Sequence, residues 1–188
     1  KKGLPNLEKH IQNAEAFGVT PIIAINQFST DHAHEIQAVK SFAENKGIKV
    51  AVANVWAKGG EGAVELAEAV IETIETSSTS TFKPLYQWED AVLDKVEVIA
   101  RQIYGASSVD YSAKAKADLK RIENLGLSHL PICMAKTQKS LSDDESRRGR
   151  PENFVLTVRE IEIAAGAGFL IPITGKMMRM PGLPAHPA

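Results

Sequence analysis

The fold is decided by the stretch Pro21-Ile22-Ile23-Ala24-Ile25-Asn26-Gln27-Phe28-Ser29-Thr30-Asp31. It begins as an unbroken apolar run after a proline, which is typical of a strand buried on both faces. Asn26 and Asp31 follow the apolar run, at the carboxyl end of the predicted strand. Open α/β sheets place their ligand crevices at this end. The same loop contains a large aromatic residue, Phe28, so the stretch predicts a strand that leads into a binding loop.

A second stretch, Asn54-Val55-Trp56-Ala57-Lys58-Gly59-Gly60-Glu61-Gly62, repeats this arrangement. It follows an apolar run, so a strand is predicted over 48–55, with Trp56 at its end. Two strand ends that each present an aromatic ring indicate a site for a flat ligand such as a pterin or a purine. Stacking on such rings contributes about 1 kcal/mol beyond the burial of apolar area.

The first part of the chain predicts an α/β fold. Apolar residues recur at helical spacing near 4–14, 36–43 and 67–74, and these helices alternate with the two strands. Asp31 is placed to cap the second helix. The alternation of helix and strand implies a parallel sheet with flanking helices and right-handed crossovers. We therefore predict a first domain over 1–81 that carries the aromatic loops.

The pattern changes after a polar segment, 76–81, which is predicted to be a linker. Beyond it, the spacing of apolar residues predicts two helices, near 92–103 and 115–125, followed by three strands. The strands are expected at 131–136, 154–163 and 169–174. Helices followed by strands are typical of a smaller α+β domain, predicted over 82–188.

Composition excludes several classes of protein. A formal net charge of -1 argues against a nucleic-acid-binding surface, and no apolar run is long enough to span a membrane. The only cysteine, Cys133, excludes an internal disulfide and lies in an apolar run, where it is expected to be packed. The five histidines show no metal-ligand spacing, so no metal site is expected. We predict a cytoplasmic protein, and the sequence is interpreted as a fragment of a longer chain.

Each candidate residue has a simpler structural interpretation. Asn26, Phe28 and Asp31 resemble the base-contacting loop of P-loop nucleotide-binding proteins, but Asp31 could equally be a helix cap and Asn26 part of a turn. Trp56 could be a core residue. The glycine-rich segment could bind an anion at a helix N-terminus or form a tight turn, and Lys58 could contact an anion or only solvent. The phosphate-binding pattern Gly-x4-Gly-Lys-Ser/Thr occurs nowhere in the chain.

Taken together, the motifs resemble those of the formate–tetrahydrofolate ligase family. The matching runs cover nearly every segment of the chain, in order: Asn6-Leu7-Glu8-Lys9-His10, Ala24-Ile25-Asn26-x-Phe28, Val55-Trp56-Ala57-Lys58-Gly59-Gly60-Glu61-Gly62, Phe82-Lys83-Pro84-Leu85-Tyr86, Leu130-Pro131-x-Cys133-Met134-Ala135-Lys136-Thr137-Gln138, Gly166-Ala167-Gly168-Phe169 and Met180-Pro181-Gly182-Leu183-Pro184.

The resemblance implies an ATP-dependent ligase. In such enzymes MgATP phosphorylates formate to formyl phosphate, and the N10 nitrogen of tetrahydrofolate then displaces phosphate to give 10-formyltetrahydrofolate. It further implies that Phe28 and Trp56 hold the pterin ring, with the loop from Trp56 through Lys58, Gly59 and Gly60 as part of the wall. A P-loop-NTPase-like sheet, a homotetramer when full-length and activation by monovalent cations are also implied.

The resemblance also has a gap, because the family's phosphate-binding loop and the basic residues that hold formyl phosphate lie in a region absent from this sequence. No catalytic residue is therefore assigned, and the chain alone is predicted to be inactive. Two other functions are open. One is a structural or assembly module that uses the helices of 92–103 and 115–125 and the Arg147-Arg148 loop. The other, a self-sufficient nucleotide-binding domain, is weakened by the missing phosphate loop.

Overall fold

The computed structural model describes residues 2–76 and 82–177. The chain divides into two compact units, Lys1–Lys83 and Pro84–Ala188. The predicted linker lies almost wholly outside the described residues, as does the Met180 to Pro184 motif. Which function each predicted domain has stays a prediction.

The first unit is an α/β arrangement built on a parallel pair of strands. Its elements in order are α1 (Leu4–Ala16), β1 (Ile22–Asn26), α2 (Ala33–Asn45), β2 (Lys49–Ala53), α3 (Val55–Lys58), a 3₁₀ helix (Gly59–Ala63) and α4 (Val64–Thr76). β1 pairs with β2 in parallel, in a register that sets Ile23 opposite Val50 and Asn26 opposite Ala53. The predicted parallel sheet with flanking helices is confirmed.

Different helices pack on the two faces of this sheet, but β1 is not buried on both faces as predicted, because Ala24 is exposed. On one face, Ile11 of α1, Ile23 of β1 and Ala43 of α2 form a buried cluster. Because side chains alternate along a strand, Ala51 and Ala53 point to the other face, where α4 packs against β2. This packing leaves the carboxyl ends of both strands to lead directly into the two aromatic loops.

Two further local predictions in this unit are wrong. The strand predicted over 48–55 ends at Ala53, and the next residues form the single turn of α3. Asp31 does not cap α2, whose N-cap is His32, where the Glu35 carboxylate accepts a hydrogen bond from the His32 N–H at 3.3 Å. Asp31 instead bonds to the backbone N–H of Phe28 at 2.8 Å. A short aspartate side chain satisfies the nearest backbone donor, which here belongs to its own turn.

The second unit has a mixed three-stranded sheet. Its elements are α5 (Val92–Val98), which continues as a π-helix (Ile99–Tyr104), then β3 (Ser108–Tyr111), α6 (Ala113–Asn124), β4 (Val155–Ala164) and β5 (Phe169–Thr174). β4 lies in the centre, parallel to β3 and antiparallel to β5. The core contains fully buried side chains from both helices and the sheet, among them Val96, Ile122, Val158 and Leu170.

The helix boundaries in this unit agree with the sequence. The first helical segment ends at Gly105, which has a left-handed backbone (φ 81°). Ser112 caps α6 by accepting a hydrogen bond from the N–H of Ala115 at 3.0 Å, and Gly126, also left-handed, follows the helix. These boundaries are set by local backbone chemistry, which a sequence carries directly.

The strand predictions in this unit were only partly right. The segment predicted as a strand over 131–136 forms only two isolated bridges, from Ile132 to Leu170 and from Ala135 to Ile173. In contrast, β3 was not predicted, because Ser108–Tyr111 is short and partly polar and its strand conformation depends on pairing with β4. β4 and β5 lie within one residue of their predicted positions.

Candidate functional site

The two aromatic loops leave the sheet of the first unit at the same end. Because β1 and β2 are parallel and in register to their last residues, both chains exit beside the Asn26–Ala53 pair. The N–H of Gln27 donates to the carbonyl of Ala53 at 3.0 Å, which extends the pairing one step into the loops. The loops that carry Phe28 and Trp56 therefore begin side by side, as ligand crevices of α/β sheets require.

Both rings are exposed. Phe28 is 49% exposed and Trp56 is 72% exposed, although large aromatic side chains are usually buried to a high degree. The alternative that Trp56 is a core residue is wrong for this structure. Exposed aromatic rings at the carboxyl end of parallel strands have the position and the chemistry to stack on a flat ligand.

The Trp56 loop is short and is held by its own backbone. α3 makes a single turn, in which the N–H of Lys58 donates to the carbonyl of Asn54 at 3.1 Å. Gly59 then takes a positive φ of 57°, a conformation that favours glycine, and the chain continues into the 3₁₀ helix. At the far end the N–H of Asn54 donates to the carbonyl of Gly62 at 2.9 Å, which closes the loop.

The glycine-rich wall is open to the surroundings. A Cβ atom built on Gly59 or Gly60 would meet no atom within 4 Å, so the backbone there is accessible to a ligand. Lys58, also exposed, is the only cation in this loop. The wall therefore combines bare backbone with one positive charge.

The Phe28 loop is closed by Asp31. The Asp31 Oδ2 accepts from the N–H of Phe28 at 2.8 Å, and the N–H of Asp31 donates to the carbonyl of Phe28 at 3.1 Å. Asn26, also exposed, lies at the last position of β1. The structure thus brings Asn26, Phe28 and Asp31 to the same sheet end as Trp56, while one Asp31 oxygen is already used by the turn.

A buried lysine in the second unit was missed by the sequence analysis. Lys95 is fully buried, and its ammonium group donates to the carbonyls of Trp88, Ser128 at 2.8 Å and Leu130 at 3.4 Å. Burial lowers the pKa of Lys95, and the nearby Asp90 and Glu89 carboxylates oppose this. The sequence did contain an indication that this lysine is buried, because Lys95 interrupts the apolar spacing of α5 at a place where the helix faces the core.

A second lysine organises the loop that follows residue 136. Lys136 donates to the carbonyls of Thr137 at 2.8 Å, Ser142 at 3.3 Å and Ser140, and its ammonium lies 5.0 Å from the centre of the Tyr104 ring. Burial lowers the pKa of Lys136 and raises that of Tyr104 to about 12, with the neighbouring Cys133 adding to the rise. These contacts order the loop internally.

A cavity of about 550 Å³ lies beside that loop, and several of its polar lining residues bond to one another or to nearby backbone. Lys139 binds the Glu145 carboxylate at 2.8 Å, and Asp143 accepts from the backbone N–H of Thr157 at 3.0 Å. In this region Cys133 is exposed, contrary to the expectation that it is packed. Its neighbour Ile132 takes the buried position instead.

Two features are absent from the described residues 2–76 and 82–177. These residues contain no group of three or more His, Cys, Asp or Glu side chains placed to hold a metal ion. No helix among them has both the length and the apolar character needed to cross a membrane.

Comparison with known families gives one match over the whole chain. The family described as formate–tetrahydrofolate ligase matches residues 1–188 of this 188-residue sequence. The match includes both aromatic loops and the strands that lead into them.

Proposed function

The chain belongs to the formate–tetrahydrofolate ligase family, and on this premise we propose that its first unit supplies the folate pocket of the enzyme. The family implies ligase chemistry in folate one-carbon metabolism, with ATP and tetrahydrofolate as substrates. In the proposal the pterin ring of tetrahydrofolate stacks on Phe28 and Trp56. Formate, activated as formyl phosphate, is the second reactant.

One observation carries this proposal: two aromatic rings are exposed at the same end of a parallel sheet. At 49% and 72% exposure, Phe28 and Trp56 leave apolar area in water that a bound flat ring would cover. Covering apolar area contributes about 25 cal/mol per Å², and ring stacking adds to it. A pterin offers both a flat face for stacking and polar edges for hydrogen bonds.

The other predicted site residues have roles consistent with their positions. The open backbone of Gly59 and Gly60 lets a ligand approach closely, and Lys58 supplies a positive charge for a carboxylate or phosphate group. Asn26 and Asp31 stay predicted nucleotide contacts. For Asp31 this role has to coexist with its hydrogen bond to the N–H of Phe28.

The residues of this chain bind and orient substrate in the proposal. Attack by the N10 amine on the carbonyl carbon of formyl phosphate forms the carbon–nitrogen bond, breaks the carbon–oxygen bond to phosphate, and releases phosphate and the N10 proton. Alignment of the two reactants in a site that excludes water is one large contribution that a protein makes to such a step. Since the sequence contains no Gly-x4-Gly-Lys-Ser/Thr motif, we propose that residues outside it bind ATP and Mg²⁺. Cytoplasmic location, homotetramer formation and monovalent-cation activation stay expectations from the resemblance.

A fluorescence titration with tetrahydrofolate or a stable folate analogue tests the pocket. A Trp88→Phe variant leaves Trp56 as the only tryptophan, since the sequence has two. Saturable quenching of Trp56 is expected, and Phe28→Ala should raise the dissociation constant about tenfold, equivalent to about 1.4 kcal/mol. A Trp56→Phe variant that retains Trp88 measures the light absorbed by the ligand itself. Quenching that does not saturate, or that is equal in both single-tryptophan variants, would refute the proposal.

A second candidate function, assembly with another copy of the chain, is favoured by the surface of α4. Val64, Ile71 and Ile74 are 52%, 55% and 71% exposed, and their heptad-like spacing places them on one side of the helix. The helices first suggested for this role instead bury their apolar faces in the core of the second unit. Sedimentation velocity tests it: Ile74→Glu should shift an oligomer toward monomer, and a monomeric parent chain contradicts this function.

A further inference from the structure

We propose that Gly62 is a positioning residue for Trp56: with no side chain at position 62, the loop can close on Asn54 and hold the indole where a ligand can stack on it. This inference rests on the proposed folate site, because the ligand concerned is the pterin ring. Gly62 itself touches no substrate in the proposal, and it acts through the backbone of its loop.

The loop is closed at its base by the backbone of one residue. The N–H of Asn54 donates to the carbonyl of Gly62 at 2.9 Å, and the carbonyl of Asn54 accepts from the N–H of Lys58 at 3.1 Å. Asn54 thus joins the start of the loop both to its end and to the single turn that carries Trp56. Loss of the bond to Gly62 would free the end of the loop from the strand.

The close approach at this point leaves no room for a side chain. A Cβ atom at position 62 would lie 2.2 Å from the carbonyl oxygen of Asn54, 2.5 Å from its carbonyl carbon and 3.0 Å from the N of Val55. All three are backbone atoms, which cannot rotate away as the end of a side chain could. Any residue other than glycine at position 62 must therefore push the backbone of residue 62 away from the backbone of Asn54.

The glycines of this loop have different functions. Gly59 has a positive φ of 57°, a conformation that side chains disfavour, but no atom lies near the place of its missing Cβ. Gly60 has neither constraint. Of the three, only Gly62 has a missing Cβ that would collide with the backbone of another residue, and this collision lies at the base of the loop.

Closure of the base matters because side-chain packing does not hold the loop. Neither α3 nor the following 3₁₀ helix contains a buried residue, and the Trp56 ring is 72% exposed. With so little burial, the backbone closure is the main restraint on where the indole lies. A ring that is already ordered costs less entropy to use in binding than one on a free loop.

The test compares Gly62→Ala with Gly3→Ala in the Trp88→Phe background of the full 188-residue chain. Gly3 is a matched control in the same unit, because a Cβ there meets nothing within 4 Å and its φ is -85°. Fluorescence anisotropy of Trp56 measures the order of the loop without any ligand, and titration with a folate analogue measures binding. For Gly62→Ala we expect lower anisotropy and a dissociation constant raised about tenfold. Gly3→Ala should change neither quantity.

Unchanged anisotropy in a folded Gly62→Ala protein would overturn the inference, as would lower anisotropy with unchanged folate affinity. If the parent chain does not bind folate at all, the proposed function fails separately, and the anisotropy comparison still decides whether Gly62 orders the Trp56 loop. Should Gly62→Ala not fold, hydrogen exchange of the parent chain decides instead. The Asn54 amide must be protected relative to the unfolded chain, and exchange at the unfolded rate refutes the closure.

Discussion

Asp31 holds Phe28 by two hydrogen bonds, one in each direction. Its Oδ2 accepts from the N–H of Phe28 at 2.8 Å, while its own N–H donates to the carbonyl of Phe28 at 3.1 Å. The four residues of this turn are thereby closed by both backbone and side chain. The sequence had suggested a helix cap or a nucleotide contact for Asp31, and the structure shows a bond that orders the aromatic loop.

The first prediction concerns this turn. Asp31→Ala removes the acceptor for the Phe28 N–H, and loss of such a bond in an ordered turn costs about 1 kcal/mol. We expect the folate dissociation constant, measured by quenching of Trp56, to rise about fivefold, whereas Asp31→Asn, which keeps an acceptor oxygen, should lose less.

The second unit offers a matched control for this variant. Asp90 closes the turn that begins at Gln87 in the same way, with its Oδ2 2.8 Å from the Gln87 N and its own N–H bonded to the Gln87 carbonyl at 3.2 Å. Asp90→Ala should leave the folate titration unchanged. Equal losses from both variants would mean that the effect is on general stability and not on the aromatic loop.

The second prediction is that Lys95→Met lowers the stability of the chain. The substitution keeps an unbranched apolar stem but removes the ammonium group, which leaves the carbonyls of Trp88, Ser128 and Leu130 without their shared donor. Buried acceptors that lose a charged partner are costly, so we expect a loss of about 3 kcal/mol in the free energy of unfolding.

Denaturation by urea measures this loss, with Lys116→Met as the control because Lys116 is an exposed residue of α6. A surface change of this kind should stay within about 0.5 kcal/mol of the parent chain. If the two variants unfold at the same urea concentration, the buried network around Lys95 does not stabilise the protein.

The third prediction concerns alkaline pH. Burial, with a contribution from Cys133, raises the pKa of Tyr104 to about 12, above the ordinary tyrosine value of 10.0. Between these values the unfolded chain loses the phenolic proton before the folded chain does, so deprotonation favours unfolding. The stabilisation from Tyr104 is complete below pH 10 and declines as the pH rises toward 12.

Unfolding measurements across this pH range should therefore show a steeper fall for the parent chain than for Tyr104→Phe, which cannot titrate. The ultraviolet absorbance of tyrosinate gives an independent measure. The chain has three tyrosines, and the variant, which lacks one of them, should lose a deprotonation step that occurs at high pH in the parent chain. If the deprotonation step that Tyr104→Phe removes has an ordinary tyrosine pKa, this would contradict the burial of the Tyr104 hydroxyl.

The fourth prediction is that the 188-residue chain alone does not convert formate, ATP and tetrahydrofolate to 10-formyltetrahydrofolate. The reason is the absence of a phosphate-binding Gly-x4-Gly-Lys-Ser/Thr motif from its sequence. A steady-state assay for the formylated product is expected to give no signal above a reaction without protein. Turnover that depends on the chain and is lost in Trp56→Ala would show that ATP is bound by other means.

The sequence by itself determined the longer helices, most of the strands and the family. Helical spacing of apolar residues gave the positions of the helices, and their boundaries follow from local chemistry, such as the Ser112 cap and the left-handed Gly105. The apolar runs that become β1 and β2 were recognisable because strands of a parallel sheet are rich in apolar residues, although Ala24 of β1 is exposed. The exposed rings of Phe28 and Trp56 were predicted from their position after those runs.

Only the tertiary structure decided features that depend on a partner distant in the sequence. Ser108–Tyr111 becomes a strand because β4 pairs with it, whereas the apolar segment near Ile132 makes only isolated bridges to β5. Lys95 is buried because carbonyls from three separate positions meet at its ammonium group. The requirement for glycine at position 62 likewise arises from the approach of Asn54. Periodicity and capping are properties of neighbouring residues, but these contacts exist only once the chain has folded.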